Sequence, residues 1–177
     1  TNVICCIFFH PTQKLLATGS YDDRVIIYDM SFSPPIIREH FDHHTDIVMS
    51  VNFHSNFPLF ATGSQDGYVI LYDLTTTPAT IKHRINDKMN RGVNTVAFHP
   101  RLLILAIASS YERGCSEVVI LYNICISPPI ILHKLQDHKY TIRCVVFHSN
   151  HPFLATCSND NSIILYDISI LSSALLS

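Results

Sequence analysis

Hydrophobic positions in this chain come in short runs, each ended within a few residues by Pro, Gly, Asn, Asp or Ser. Runs such as 25–28 (VIIY) and 163–166 (IILY) lack the alternation of a half-exposed sheet, which predicts strands covered on both faces. They are too short and too often broken by turn residues for a buried helix. A first set of strands is predicted at 4–9, 48–53, 95–98 and 143–147, and a second at 15–18, 59–62, 103–108 and 153–156. A third follows at 25–28, 69–72, 118–122 and 163–166, and a weaker fourth at 36–39, 80–84, 130–134 and 170–175. All are rich in β-branched and aromatic residues.

The runs repeat. Phe-His recurs at Phe9-His10, Phe53-His54, Phe98-His99 and Phe147-His148, and Ala-Thr at Ala17-Thr18, Ala61-Thr62 and Ala155-Thr156, with Ala106-Ile107 as its relative. Tyr followed by Asp or Asn closes each unit at Tyr28, Tyr72, Tyr122 and Tyr166, spaced by 44, 50 and 44 residues. A longer period lies over this one. Shifted by 94, residues 28–74 align with 122–168 without a gap and share 21 of 47 positions, which reads as duplication of a two-unit block. A fixed period of this size is the mark of a repeat architecture.

Composition narrows the function classes. Hydrophobic residues at 47% against 15% charged exclude a disordered chain. A formal charge of −2 offers no electrostatic ground for nucleic acid or an anionic membrane as the main partner. No apolar run is long enough to span a bilayer. The start, TNVICCIFFHP, reads as the edge of a fragment and not as a signal peptide. Six cysteines include no Cys-x-x-Cys pair and mostly sit in apolar runs, which favours a reduced, intracellular (cytoplasmic or nuclear) protein.

These residues resemble the WD-repeat family over essentially the whole chain, with Tyr-Asp where that family has Trp-Asp. Residues 44–73 (HTDIVMSVNFHSNFPLFATGSQDGYVILYD) and 138–167 (HKYTIRCVVFHSNHPFLATCSNDNSIILYD) carry the resemblance most fully. It implies an all-β propeller of four-stranded blades: blade 1 at 1–41, blade 2 at 42–86, blade 3 at 87–136 and blade 4 at 137–177. It also implies a buried polar network of loop His, strand hydroxyl, turn Asp and aromatic. The matching residues are His44, Ser64, Asp66 and Tyr72 in blade 2, and His138, Ser158, Asp160 and Tyr166 in blade 4. Blade 1 keeps Ser20, Asp22 and Tyr28, its His falling before residue 1. Such groups are structural, because a buried half-satisfied imidazole costs about 1–3 kcal/mol.

The departures are specific. Trp is absent, and the Gly of the family's Gly-His pair is His43 in blade 2 and Asp137 in blade 4. Blade 3 has Lys88-Met89 there, no turn Asp, Asn123 for the last Asp, and an insertion near 111–116, so it is expected to lack the network. Four blades are fewer than the family's usual ring, which implies part of a larger propeller or a ring completed by another chain.

Candidate chemistry is thin. His40, His43 and His44 have an H-x-x-H-H spacing, but no Cys or carboxylate completes a tetrahedral site, and no metal or other cofactor is expected. A metal-dependent enzyme is the weakest of the function readings. His10, His54, His99 and His148 are expected to shape turns at the bottom rim. Ser20 and Ser64 lack the downstream Gly of a nucleophile elbow, so no catalytic residue is assigned. The resemblance points to a protein or peptide partner on the top face, with the chain acting as a scaffold or as a subunit of a larger assembly. Its positions there are Val3, Cys5 and Tyr21 in blade 1, and Ile47, Met49 and Gln65 in blade 2. Gly92 and Asn94 follow in blade 3, and Thr141, Arg143 and Asn159 in blade 4. Tyr111 and Arg113 of the insertion are added as a candidate recognition loop.

Overall fold

The computed structural model describes residues 2–86, 92–109 and 117–170. Among these, fifteen strands form four antiparallel sheets, each a meander of sequence neighbours. Blade 1 holds β1 (Ile4–Phe9), β2 (Leu15–Ser20), β3 (Val25–Asp29) and β4 (Ile36–Phe41). Blade 2 holds β5 (Val48–Phe53), β6 (Leu59–Ser64), β7 (Val69–Asp73) and β8 (Thr80–Ile85). Blade 3 holds β9 (Val93–Phe98), β10 (Ile104–Ser109), β11 (Val119–Asn123) and β12 (Ile130–Leu135). Blade 4 holds β13 (Ile142–Phe147), β14 (Phe153–Ser158) and β15 (Ile163–Asp167). The expected fourth strand of blade 4 falls mainly on residues outside those described, and Ile170 itself is not in a strand. The chain is thus an all-β partial propeller.

In blades 1, 2 and 4 the expected second strands stop at the Ala-Thr landmark, whereas the strands continue to Ser20, Ser64 and Ser158; in blade 3 the expected 103–108 is observed as Ile104–Ser109. Small residues allow this. A Cβ on Gly19 would come within 2.7 Å of the Val48 side chain, and one on Gly63 within 2.6 Å of Val93, so the glycines let the next blade's first strand approach.

The innermost strands β1, β5, β9 and β13 lie side by side and curve around a central cavity of about 440 Å³. Each pair of successive blades encloses an apolar layer. Leu15, Ala17, Val25 and Ile27 of blade 1 face Val48, Val51 and Phe53 of blade 2. Ala61, Val69 and Leu71 then face Val93, Val96 and Phe98, and Ala106, Val119 and Leu121 face Ile142, Val145 and Phe147. Strands covered on both faces explain the absence of polar alternation in the runs. Among the described residues no helix is long and apolar enough to cross a membrane.

Candidate functional site

The polar groups sort to the two ends of the blades. At the bottom, each Phe-His histidine staples its own turn. His10 Nδ1 accepts the backbone N–H of Thr12 and Gln13 at 3.2 and 3.0 Å. His54 does the same for Asn56 and Phe57, His99 for Arg101 and Leu102, and His148 for Asn150 and His151. An accepting Nδ1 puts the ring proton on Nε2, and His54 Nε2 donates to the Leu102 carbonyl at 3.2 Å. The rings also bridge blades: His10 lies 5.0 Å from Phe53, His54 5.2 Å from Phe98, and His99 5.2 Å from Phe147. Burial lowers the pKa of His10 and His54, and takes His99 down to about 4 with help from His54 and Arg101.

At the top, the imidazole networks of blades 2 and 4 have the same geometry. His44 Nδ1 meets Asp66 Oδ2 at 2.8 Å and Nε2 meets Thr62 Oγ1 at 2.7 Å. His138 meets Asp160 and Thr156 at the same two distances. The carboxylates only accept, so Nδ1 donates to them and a neutral ring keeps Nε2 as acceptor for the threonine hydroxyl. The strand hydroxyl is therefore Thr62 and Thr156, and not Ser64 and Ser158 as expected. The serines sit two residues on, where their side chains point up to the rim instead of across to the imidazole. Ser64 Oγ accepts the Asp66 N–H at 3.1 Å and donates to the Asp46 carbonyl at 2.8 Å, and Ser158 does likewise for Asp160 and Tyr140. In blade 1, Ser20 holds Asp22 N–H and the Val3 carbonyl, and Thr18, Asp22 and Tyr28 line a cavity of about 310 Å³. In blade 3, Ile107 stands where blades 2 and 4 have threonine. Lys88 and Met89 lie outside the described residues.

Burial alone would raise the Asp66 carboxyl, but hydrogen bonds from His44, Tyr68 N–H and Thr45 N–H outweigh it and hold the group below the usual carboxylate range. The Ser162 hydroxyl leads the same effect at Asp160. The residue after each turn Asp is left-handed, at φ 65° for Asp23, 83° for Gly67 and 65° for Asn161, all residue types that tolerate that conformation.

Tyrosine stands in the place of the family's tryptophan and brings a hydroxyl to the network. The Tyr72 hydroxyl lies 3.2 Å from His43 Nδ1, and the Tyr166 hydroxyl donates to Asp137 Oδ2 at 3.1 Å. His43 and Asp137 are the two residues that stand where the family has glycine. In both blades the residue in the glycine's place thus meets the tyrosine hydroxyl. Burial raises the Tyr72 pKa, and burial with Asp137 pushes Tyr166 up to about 12.

The expected partner-binding residues gather on the rim above these networks. In three blades the residue before the turn Asp donates its backbone N–H across the rim. Tyr21 reaches the Val3 carbonyl at 2.9 Å, Gln65 that of Ile47 at 2.9 Å, and Asn159 that of Thr141 at 3.0 Å. Val3, Tyr21, Arg143 and Asn159 are exposed, and Cys5, Ile47, Met49, Gln65 and Thr141 are partly exposed. Arg143 Nε donates to Asn159 Oδ1 at 2.9 Å, which orients the guanidinium. Asn94 is a correction: its side chain is buried, donating to the Ile142 carbonyl at 3.0 Å and accepting from Gln65 at 3.3 Å, so it ties three blades together below the rim. Gly92 lies beneath the Gln65 side chain. Tyr111 and Arg113 fall outside the described residues. Tyr140, 64% exposed beside Thr141, was not singled out, although an aromatic within the polar loop His138–Thr141 is a readable signal.

His40, His43 and His44 point to different partners, Asp42, Tyr72 and Asp66. Among the described residues no three His, Cys, Asp or Glu side chains converge as metal ligands, and the described cysteines form no disulfide.

Repeated meander blades around a common axis, with a His–Asp–Thr network at the top of each well-kept copy, define a WD-type propeller. The family described as WD domain, G-beta repeat, matches residues 1–29, 36–73 and 130–167, more than half of the chain, and the chain belongs to that family. The unmatched stretch between 73 and 130 holds β8 and the first three strands of blade 3. A ribosome biogenesis protein BOP1 homolog from Anopheles gambiae is 30% identical over 83 residues, covering 44% of this chain and 10% of that protein. Repeats of this family generally mediate protein–protein interaction and are generally non-enzymatic scaffolds.

Proposed function

We propose that the chain is a non-enzymatic, intracellular scaffold that binds a protein or peptide partner on its top rim. One observation carries this reading: Val3–Tyr21, Ile47–Gln65 and Thr141–Asn159 repeat the same backbone-pinned pair at one end of three blades. Pinning keeps the rim rigid, so a partner loses little affinity to ordering it. Tyr21, Ile47, Met49, Tyr140 and Arg143 supply the aromatic, apolar and guanidinium anchors that concentrate binding energy. The mosquito relative is a ribosome biogenesis protein homolog, which supports an intracellular setting within a multi-component assembly. The test begins with peptides selected from a random display library on the immobilised chain. Replacing Met49 and Arg143 together by Ala should weaken their binding at least tenfold while the far-UV spectrum and melting temperature stay unchanged. Unchanged affinity would move the binding surface elsewhere.

A further inference from the structure

The bottom turns of blades 2, 3 and 4 hold corresponding places, but the two junctions between them differ. Between blades 2 and 3, His54 Nε2 donates to the Leu102 carbonyl at 3.2 Å and Asn56 Nδ2 to that of Pro100 at 3.3 Å, which ties the two turns together. Leu102 and His151 are equivalent in their turns, since each carbonyl accepts the N–H two residues on, from Ile104 and Phe153. Among the described residues His99 makes no matching bond to His151. A cavity of about 360 Å³ lies between the turns of blades 3 and 4 instead, and its wall includes His99, Arg101, Asn150 and His151.

That wall offers donors, and no carboxylate lines it. His99 Nδ1 accepts two N–H groups of its own turn, so the ring proton sits on Nε2. Burial, with His54 and Arg101 beside it, keeps the ring neutral at neutral pH. Arg101 gives one N–H to Asn150 Oδ1 at 2.9 Å, which holds the guanidinium across the junction and leaves its other donors. Asp167, two residues before Ser169, accepts the Ser169 N–H at 2.9 Å and is not part of the wall.

We propose that this cavity is a carboxylate-binding site, where Arg101 pairs with one carboxylate of a peptide, on a side chain or at a chain terminus, and His99 Nε2–H donates to it. Among the described residues lining the cavity Arg101 is the one permanent cation. A single negative charge matches it, whereas a phosphate dianion would bring an unpaired charge. The planar guanidinium fork also suits the two oxygens of a carboxylate. The volume is near the low end of ligand sites, which run from about 300 to 1,000 Å³, so it takes a side chain or two and not a large cofactor. Pro100, Leu102 and Pro152 supply apolar wall for the stem of such a side chain. The cavity lies at the opposite end of the blades from the top rim, so the proposal is independent of that reading.

Three short peptides test it. Acetyl-Gly-Glu-Gly-amide carries its carboxylate on a side chain, acetyl-Gly-Gly-Gly with a free acid end carries it at the terminus, and acetyl-Gly-Gln-Gly-amide carries none. Titrated into the isotope-labelled chain at neutral pH, at least one acidic peptide should shift the His99 imidazole resonances saturably, and the neutral one should not. The tighter of the two acids identifies the source of the carboxylate. Arg101→Gln should weaken that binding by about tenfold or more. Asn150→Asp should do the same, because its own carboxylate then occupies the guanidinium. Both side chains are exposed, so the far-UV spectrum should stay that of the wild type. Replacing Met49 and Arg143 by Ala should leave this binding unchanged, which separates the cavity from the top rim. The proposal is overturned by no saturable shift with either acid, by equal shifts with the neutral peptide, or by full affinity in Arg101→Gln or Asn150→Asp. Tighter binding of inorganic phosphate than of the acidic peptides would overturn it as well.

Discussion

Blades 2 and 4 share the same landmarks and half of their positions over 44–73 and 138–167, and they have different surroundings. Blade 2 has a neighbour on both faces, and Tyr72, Leu71 and Val69 are fully buried. Blade 4 has one neighbour, and Tyr166 is half-buried while Leu165 and Ile163 lie open. Yet the His–Asp and His–Thr distances are identical in the two. The network thus belongs to the blade's own sequence, held by local turn geometry, whereas burial of the strand faces is conferred by the next blade. Blade 3 supplies the converse. It has Ile107 in place of the threonine, and β9, β10 and β11 are buried throughout. Packing on two sides can therefore stand in for a polar network, as blade 3 shows, without excluding one, as blade 2 shows.

The sharpest way to break this comparison is an aspartate on equivalent positions. Leu71→Asp buries an unpaired charge between two blades and should cost more than about 4 kcal/mol, enough to leave most of the chain unfolded. Leu165→Asp, on an exposed side chain, should leave the fold intact. Urea titration followed by far-UV dichroism separates the two, and equal loss of structure would contradict the assignment of burial to the neighbour. The network gives a smaller and more even effect. His44→Ala and His138→Ala each remove one hydrogen bond from a buried threonine hydroxyl and one from a turn carboxylate that keeps its backbone donors, and each should cost roughly 1–3 kcal/mol. A cost confined to blade 2 would mean that the network depends on its neighbours after all. Ile107→Thr should cost about 1–2 kcal/mol, because it adds a hydroxyl to a packed apolar site.

Much of this was legible in the chain. The Phe-His, Ala-Thr and Tyr-Asp landmarks locate first, second and third strands in every blade, because each marks a place where a run must turn or pack. The network was legible in His44, Asp66 and Tyr72 and misread at Ser64. In an extended strand residues two apart share a face, so Thr62 and Ser64 cannot be separated by pattern. The clue was Ile107, since the blade without the imidazole also lacks that threonine. The partnership of Tyr72 with His43, and of Tyr166 with Asp137, is not legible in sequence, where the two positions lie 29 residues apart. Only their proximity in space joins them. Exposure of the outer faces was not legible, because 163–166 and 69–72 read alike and differ only in what lies beside them.

The smallest effect concerns the bottom rim, where the covered histidines separate interior blades from the end. Desolvation lowers the pKa of His99 to about 4, and that of His54 also falls. A histidine with a depressed folded pKa binds fewer protons folded than unfolded. Stability is therefore full above the ordinary value of about 6.5 and declines as pH falls from there through about 4. The depressed Asp66 carboxyl acts lower, its contribution being lost only below about 4. Between about pH 7 and pH 4.5 the loss should thus come from the histidines. Because the rim is partly solvated, His99 should account for only on the order of 1 kcal/mol of it. His99→Asn keeps a side-chain acceptor for the turn N–H groups and removes the titration. Urea midpoints at the two pH values should therefore lie closer together in the variant than in the wild type. An unchanged gap would show that contact with the next blade does not desolvate this ring.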